Sequence, residues 1–370
     1  MEKTSIIKPS LCNSRRKLSR ILNSFSFPMK MWAAGFTVLC VMVVWLSTAY
    51  RWNYPSSKEG KYIYGIMFDA GSTGSRIHIF SFSNDNKEKK MILIADIFNE
   101  IKPGLSAYAS DPKKAAGSLL PLLNLAKSKV PEDLQSSCAI ALKATAGLRL
   151  LGEQPANNIL LEVEKLFKRF PFKMLENNTE IMSGTKEGIY SWLTVNYLLD
   201  LLDTPNRTAV ALDLGGGSTQ ITFVPSKPGT LQQVGEDFKE SVTLFGQSYN
   251  LYTHSYLGLG LMSARFKVSE KVKTTPLQLQ SVCIPENTKT SWSFSGDTYQ
   301  VSSAGNSNFD ACYAATSKFV KENMKPVSEL TNHHIMAFSY FYDRAVDMNL
   351  IGPEGGNVAV NSFQQAAVQG

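Results

Sequence analysis

A chain of 370 residues that is 44% apolar and only 19% charged has enough apolar material for a folded body. It is too long for one compact core, so two lobes are expected. The formal charge of +7 does not mark a nucleic-acid binder: residues 1–30 hold seven basic side chains, Arg15, Arg16 and Lys17 among them, against Glu2 alone, and the remainder carries 31 basic and 30 acidic groups.

Residues 31–50, MWAAGFTVLCVMVVWLSTAY, contain no charged side chain and have the length that spans a bilayer as one helix. Trp32, Trp45, Tyr50 and Trp52 stand near its ends, as interfacial aromatics do. The positive-inside rule then gives a basic cytoplasmic tail over 1–30, a transmembrane signal anchor over 31–50, a stalk over 51–61 and a luminal body. Sequons at Asn177 and Asn206 agree with a translocated body. Besides Cys12 and Cys40 there are Cys138, Cys283 and Cys312. In an oxidising compartment Cys283 and Cys312 can close one modest loop and leave Cys138 buried and free; three reduced core cysteines satisfy the sequence equally well.

Within the body, YIYGIMFDAGSTGSRIHIFSF reads as an apolar strand, a tight polar turn and a second strand from Arg76 to Phe82. Residues 112–128 have amphipathic helical spacing. CAIALKATAG is a buried strand leading into a helix start, and residues 155–169 form a further amphipathic helix ended by Pro171. A long helix is expected from Gly184 to Leu202. TAVALDLGGGSTQITFV then repeats the first pattern of apolar strand, glycine-rich turn and β-branched strand.

The two turns carry the chemistry. Asp69-Ala70-Gly71-Ser72-Thr73-Gly74-Ser75-Arg76 and Asp213-Leu214-Gly215-Gly216-Gly217-Ser218-Thr219-Gln220 each place an aspartate at a strand end, followed by glycines and hydroxyls. Consecutive N–H groups in such turns can hold phosphate oxygens, and an aspartate at the mouth can hold a hard cation. Two turns of the same grammar suggest two pseudo-symmetric lobes around one polyphosphate. Neither is a P-loop, the four histidines lack metal-ligand spacing, and no G-x-S-x-G elbow is present. Hydrolysis still needs a group to orient water, and Glu187 in SGTKEG is the candidate. A helix-start glutamate that favours the macrodipole explains that residue equally well from sequence.

DAGSTGSR, ATAGLRLL, IMSGTKEGIYSWLTVNYLL and LDLGGGSTQITF, in this order, resemble the first four apyrase conserved regions of the ecto-nucleoside triphosphate diphosphohydrolases. KPGLSAYA, YTHSYLGLGLMSARF and AFSYFYDRAVDMNLI resemble the type five and six branch, the secretory-pathway nucleoside diphosphatases. The resemblance implies an α/β fold of two ribonuclease-H-like lobes of the actin, sugar-kinase and heat-shock ATPase superfamily, here lobe I over 62–183 and lobe II over 184–370. It implies Glu187 as general base, with Asp69 and Asp213 holding Ca²⁺ or Mg²⁺ through water. Ser72, Thr73, Gly74 and Ser75 with Gly215, Gly216, Gly217 and Ser218 fall to the phosphates; Ser218, Gln220 and Thr145 fall near the attacking water, and Arg149 reads as structural. Cys283 and Cys312 match a family disulfide. Tyr342, with Tyr340 or Phe341, is a candidate wall for the base.

The implied substrates are nucleoside diphosphates such as UDP and GDP, with triphosphates used less well. The implied setting is a Golgi or endoplasmic reticulum membrane as a single-pass type II protein, or a cell-surface or released form. Oligomeric state is not indicated. Family members continue beyond this C-terminus, so lobe II is expected to be incomplete. That opens a second reading, a catalytically impaired truncated membrane protein that binds nucleotide or a partner. An exopolyphosphatase-like enzyme has similar glycine-rich grammar but commonly carries an acid where Gln220 stands.

Overall fold

The computed structural model describes residues 3–6, 62–85, 90–227, 229–244, 246–327, 329–330 and 333–369. The span expected at 31–50, most of the tail and the stalk lie outside the described residues. No helix among the described residues is long and apolar enough to cross a membrane.

Four residues of the expected tail, β1 (Lys3–Ile6), form a strand in the same sheet as the body's later strands. The first continuous segment then builds a five-stranded mixed sheet from β2 (Tyr62–Ala70), β3 (Ser75–Asp85), β4 (Lys90–Ile101), β5 (Ala139–Ala144) and β6 (Lys173–Ile181), in the order β4-β3-β2-β5-β6. β2, β3 and β4 are antiparallel, and β5 and β6 continue parallel to β2. Alternation sorts the faces: Ile66, Phe68, Ile77 and Ile79 are buried, whereas Met67 and Phe98 stay exposed. The buried face is covered by α1 (Pro112–Ser118), α2 (Leu120–Lys129) and α5 (Glu153–Phe167), with the short α3 (Glu132–Gln135) and α4 (Ala146–Arg149) between them in sequence. The side chain of Asp111 caps α1 by accepting from the Lys114 N–H at 3.0 Å. α5 buries Ala156, Ile159, Val163, Leu166 and Phe167, the helical spacing that its sequence carries.

α6 (Gly184–Leu198), capped by Ser183, opens the second half. β7 (Val210–Leu214), β8 (Ser218–Phe223), β9 (Lys239–Leu244), β10 (Gln247–Leu257), β15 (Ile335–Ser339) and β16 (Gly356–Ala359) join β1 in a seven-stranded sheet ordered β16-β1-β15-β7-β8-β10-β9. The repeat expected from sequence is real: β7, β8 and β10 are successively antiparallel, and β15 adds parallel to β7 as β5 does to β2. β1 extends this parallel run beside β15 and pairs antiparallel with β16. α7 (Leu261–Lys267) precedes a four-stranded sheet of β11 (Glu270–Val272), β12 (Gln278–Ser281), β13 (Lys289–Phe294) and β14 (Asp297–Ser303). α8 (Phe309–Asn323), α9 (Tyr340–Asp347) and α10 (Val360–Gln369) complete the described chain. Cys283 is bonded to Cys312 of α8. Cys138 is free and buried, and burial pushes its thiol up to about 12, which keeps it inert.

One fully buried carboxylate ties two connections together. Glu329 accepts from Ser226 N and Oγ at 2.5 Å each, from Lys227 N at 2.8 Å and from the Thr230 hydroxyl. Burial pushes this carboxyl up, but the hydroxyl and N–H donors outweigh it and hold the group at about 2. With a folded value below the ordinary 4.5, its contribution is fully present above about pH 4.5 and is lost as pH falls toward 2. Glu329→Gln is expected to lower unfolding free energy by about 3 kcal/mol at neutral pH. In urea titrations the gap from the parent should close on acidification; equal midpoints at pH 7 would show the network to be idle.

Candidate active site

The two glycine-rich turns meet face to face. A Cβ at Gly216 would lie 2.4 Å from Ser72 Oγ and 2.8 Å from the Thr73 methyl, so the turns can approach this closely only without a side chain there. Each turn is backed by neighbouring backbone. A Cβ at Gly104 would lie 2.4 Å from the Gly71 carbonyl, and one at Gly147 would lie 2.7 Å from Ser72 Cα. On the other side, Leu261 N donates to Gly215 O at 2.9 Å, and Met262 N and Ser263 N both donate to Gly216 O at 3.0 Å.

Glu187 enters from the first turn of α6, where its N–H bonds Ser183 O at 3.0 Å. The glycines of SGTKEG have a packing role. A Cβ at Gly184 would fall 2.3 Å from that of Ser255, and one at Gly188 would fall 2.6 Å from Thr222 Oγ1. These two positions, one helical turn apart, seat α6 directly on β8 and β10 and push the intervening carboxylate toward the turns.

There Glu187 Oε2 accepts from Arg149 Nη2 at 2.6 Å and from Gln220 Nε2 at 3.0 Å. Ser218 Oγ accepts from Gln220 Nε2 at 2.7 Å and from Arg149 Nη2 at 3.2 Å. Gln220 Nε2 also faces Ser255 Oγ at 2.8 Å. Three acceptors around one nitrogen define the orientation of this amide and leave Gln220 Oε1 buried without a protein partner. Burial pushes the Glu187 carboxyl up, Arg149 opposes that, and Asp213 and Asp69 add to it; the result is about 7.

The two aspartates have unlike surroundings. Asp69, at the end of β2, pairs with Arg76 at 3.1 Å and is part-exposed. Asp213, at the end of β7, accepts from Ser191 Oγ at 3.5 Å and from the Ser339 hydroxyl, while its Oδ1 is buried with no partner. Burial pushes Asp213 up to about 6, with Asp69 adding to the rise. Ser339 lies in a strained backbone region for a non-glycine residue, φ 58° and ψ −128°. A buried orphan oxygen on a carboxylate beside a second carboxylate is a donor set for a hard cation, so the residues fit a divalent cation.

Most expected site residues converge here: Asp69, Ser72, Thr73, Gly74, Thr145, Glu187, Asp213, Gly215, Gly216, Gly217, Ser218 and Gln220 all lie on the two turns or the elements packed against them. Thr145 N donates to Ala70 O at 3.1 Å, which fixes it beside the first turn. Two residues depart. Ser75 is fully buried and pairs with Ala70, so alternation puts it on the core face of β3 with Ile77 and away from phosphate. Tyr342 packs against Ala337, Ala345 and Val358, and its hydroxyl donates to Pro353 O at 2.7 Å; it is a core residue and no wall of the cleft. Arg149, expected to be structural, touches the candidate base directly. Ser191, Ser255 and Ser339 were not expected, since a lone serine on a helix or strand gives no signal.

Residues 55–364 match the model of the GDA1/CD39 (nucleoside phosphatase) family. The chain belongs to that family. It is 43% identical to ectonucleoside triphosphate diphosphohydrolase 5 of Gallus gallus over 85% of this chain and 75% of that protein. It is 40% identical to the human nucleoside diphosphate phosphatase ENTPD5, again over 85% and 75% of the two chains. Human ectonucleoside triphosphate diphosphohydrolase 6 is 42% identical over 82% of this chain and 64% of its own. A solved nucleoside triphosphate hydrolase of Neospora caninum shares the fold, with a TM-score of 0.54 at 12% identity over 90% of this chain and 82% of that one. The family is generally dependent on divalent cations.

Cation binding at the orphaned Asp213 oxygen makes a direct prediction. Millimolar Mg²⁺ or Ca²⁺ should raise the melting temperature of the parent and should leave Asp213→Ala unmoved. Equal shifts in both proteins would remove Asp213 from the cation site.

Proposed function

We propose that the chain hydrolyses the terminal phosphate of nucleoside diphosphates, UDP and GDP before triphosphates, by in-line attack of water with Glu187 as base. The observation that carries the proposal is the convergence of Glu187, Ser218 and Gln220 on one point between the two glycine-rich turns. The division into two ribonuclease-H-like lobes, 62–183 and 184–370, belongs to the same reading, with the substrate phosphates between them.

Each residue has a task in that scheme. The N–H groups of 71–74 and 215–217 cradle phosphate oxygens, with the Ser72 and Thr73 hydroxyls beside them. Glu187, held by Gln220 Nε2, takes one proton of the water, and the other stays on the oxygen that joins the phosphate product. As the water oxygen bonds to the terminal phosphorus, the bridging P–O bond breaks and a nucleoside monophosphate leaves. Asp69 and Asp213 would hold Ca²⁺ or Mg²⁺ through its waters, and the chemistry such an ion supplies is neutralisation of phosphate charge. Thr145, just after β5, is held beside the first turn and Asp69 by its bond to Ala70 O.

The base must be ionised to act, so turnover should rise as pH increases through about 7. Glu187→Gln is expected to lose about 10²–10⁴-fold in kcat while KM changes little. Phosphate release from UDP, followed against pH, tests both statements; a variant that turns over near the parent rate would refute the assignment.

We also place the body in the lumen of the secretory pathway, in Golgi or endoplasmic reticulum, as a single-pass type II membrane protein. The formed disulfide supports an oxidising compartment, and the exposed Asn177 is open to glycosylation, with Asn206 as the second sequon. This topology and the pairing of β1 with β15 exclude each other, because the anchor would separate Lys3–Ile6 from the body. An epitope ahead of Lys3 should be digested by protease added outside sealed microsomes while the body survives. A protected epitope would instead favour the paired strand and overturn the topology.

A further inference from the structure

Arg149 stands out because its charge serves residues outside its own sheet. It is the last residue of α4, which follows β5 of the five-stranded sheet, and α4 is pressed on the first turn through Gly147. Its guanidinium nevertheless reaches the other half of the molecule. Nη1 donates to Met182 O at 2.8 Å, in the link that leads from β6 into α6. Nη2 donates to Glu187 Oε2 at 2.6 Å on α6 and to Ser218 Oγ at 3.2 Å on β8. The side chains of the ion pair are 13% and 16% exposed, so water screens the pair little. A planar fork with several fixed donors suits three acceptors in different directions; a lysine ammonium would have to choose among them.

The arrangement has two consequences for the chemistry. First, the Glu187 oxygen nearest Arg149 is held at one place by two donors, Arg149 and Gln220. Second, Ser218 Oγ accepts from both Arg149 and Gln220, so its own hydroxyl proton is directed away from these partners and is free to donate into the cleft. Without the guanidinium, that hydroxyl is freed to turn to Glu187, with which it shares both donors, and to compete with water for the base.

We propose that Arg149 is the positioning residue of the reaction: carried by the first half of the molecule, it aims the base and the Ser218 hydroxyl of the second half, so that the base is set only when the halves are closed on each other. The inference rests on the reading of Glu187 as base. The charges that bear on Glu187 are Arg149 from α4, Asp213 from β7 and Asp69 from β2, and only the first favours the ionised carboxylate. Loss of Arg149 therefore moves the ionisation of Glu187 to higher pH.

The test uses the full chain with UDP and saturating Mg²⁺ or Ca²⁺. Arg149→Met is expected to lower kcat about 100-fold with KM within about threefold, and to move the rising limb of the pH profile up by about one unit. Added guanidinium ion should restore at least about a tenth of the lost rate to Arg149→Ala, and Arg149→Lys should fall between the parent and Arg149→Met. The double variant of Arg149→Met with Glu187→Gln should be much faster than the product of the two single losses, because Arg149 acts largely through the base; multiplicative losses would overturn the proposal. A merely structural arginine would lower the melting temperature, leave the pH limb in place and resist rescue by guanidinium; that pattern overturns the proposal. If Arg149→Met fails to fold, the pH limb of Arg149→Lys and the guanidinium response of Arg149→Ala decide in the same sense. Full turnover by Glu187→Gln would sink the base assignment itself. A dead Glu187→Gln beside an Arg149→Met with the parent pH limb would sink this inference alone.

Discussion

A carboxylate taken out of water costs several kcal/mol unless donors or an opposite charge meet it, and the cleft holds two such groups within each other's field, Glu187 and Asp213. They are met in different ways. Glu187 has a guanidinium and an amide. Asp213 has two serine hydroxyls on one side and nothing on Oδ1. Among the described residues two guanidiniums face three carboxylates: Arg76 pairs with Asp69 and attracts Asp213 only from farther off, and Arg149 pairs with Glu187. The site is therefore built one cation short, and the shortfall is greatest at Asp213.

Bringing these groups together requires backbone to approach backbone more closely than side chains allow. The glycines at 104, 147, 184, 188 and 216 are each defined by what a Cβ would strike: a carbonyl, a main-chain carbon, a serine, a threonine or the opposite turn. Of these, only Gly216 lies in a glycine-rich turn. Gly184 and Gly188 bring a helix down on a sheet, and the reward is the position of Glu187 between them. The same residue type thus serves two ends in one cleft, close approach of the turns to each other and helix seating behind them.

This explains what was legible in the sequence. Apolar alternation followed by Asp-x-Gly grammar disclosed β2, β3, β7 and β8 and located both turns, because local backbone demands leave a local mark. The helix expected from Gly184 ends at Leu198, a few residues short of Leu202, and α5 lies within about two residues of its expected bounds. β4, the inserted four-stranded sheet and the β1 pairing had no such mark, since their partners are distant in sequence. Ser75 and Tyr342 went astray for a related reason. Motif membership says which residues are near the site, but the face that a side chain takes is set by strand alternation and by packing. Arg149 was misjudged in the opposite direction: its partner Glu187 lies 38 residues on, and no spacing rule announces an ion pair between separate sheets.

The repeated topology carries a further asymmetry. Beside each aspartate-bearing strand runs a parallel neighbour, with Asp69 opposite Lys143 on β5 and Asp213 opposite Phe338 on β15. The carboxyl ends of these strands open into the cleft, where parallel sheets bind ligands. Each neighbour leads through a capping residue, Thr145 or Ser339, into a helix, and the fourth residue beyond that cap is charged in both: Arg149 on α4 and Asp343 on α9. The signs are opposite, and so are the directions of reach. Arg149 bonds Glu187 of the second half, whereas Asp343 lies in the field of Lys102 and Arg76 of the first. The tie between the halves that is formed as a direct ion pair is the Arg149 one; among charges, Asp343 is influenced first by Arg344 and Asp347 of its own helix. They differ in exposure, because the Arg149 pair is shielded from solvent and Asp343 is not. Salt weakens exposed charge interactions first. Salt therefore screens the exposed Asp343, while the shielded Arg149 pair, at the candidate base, keeps its strength.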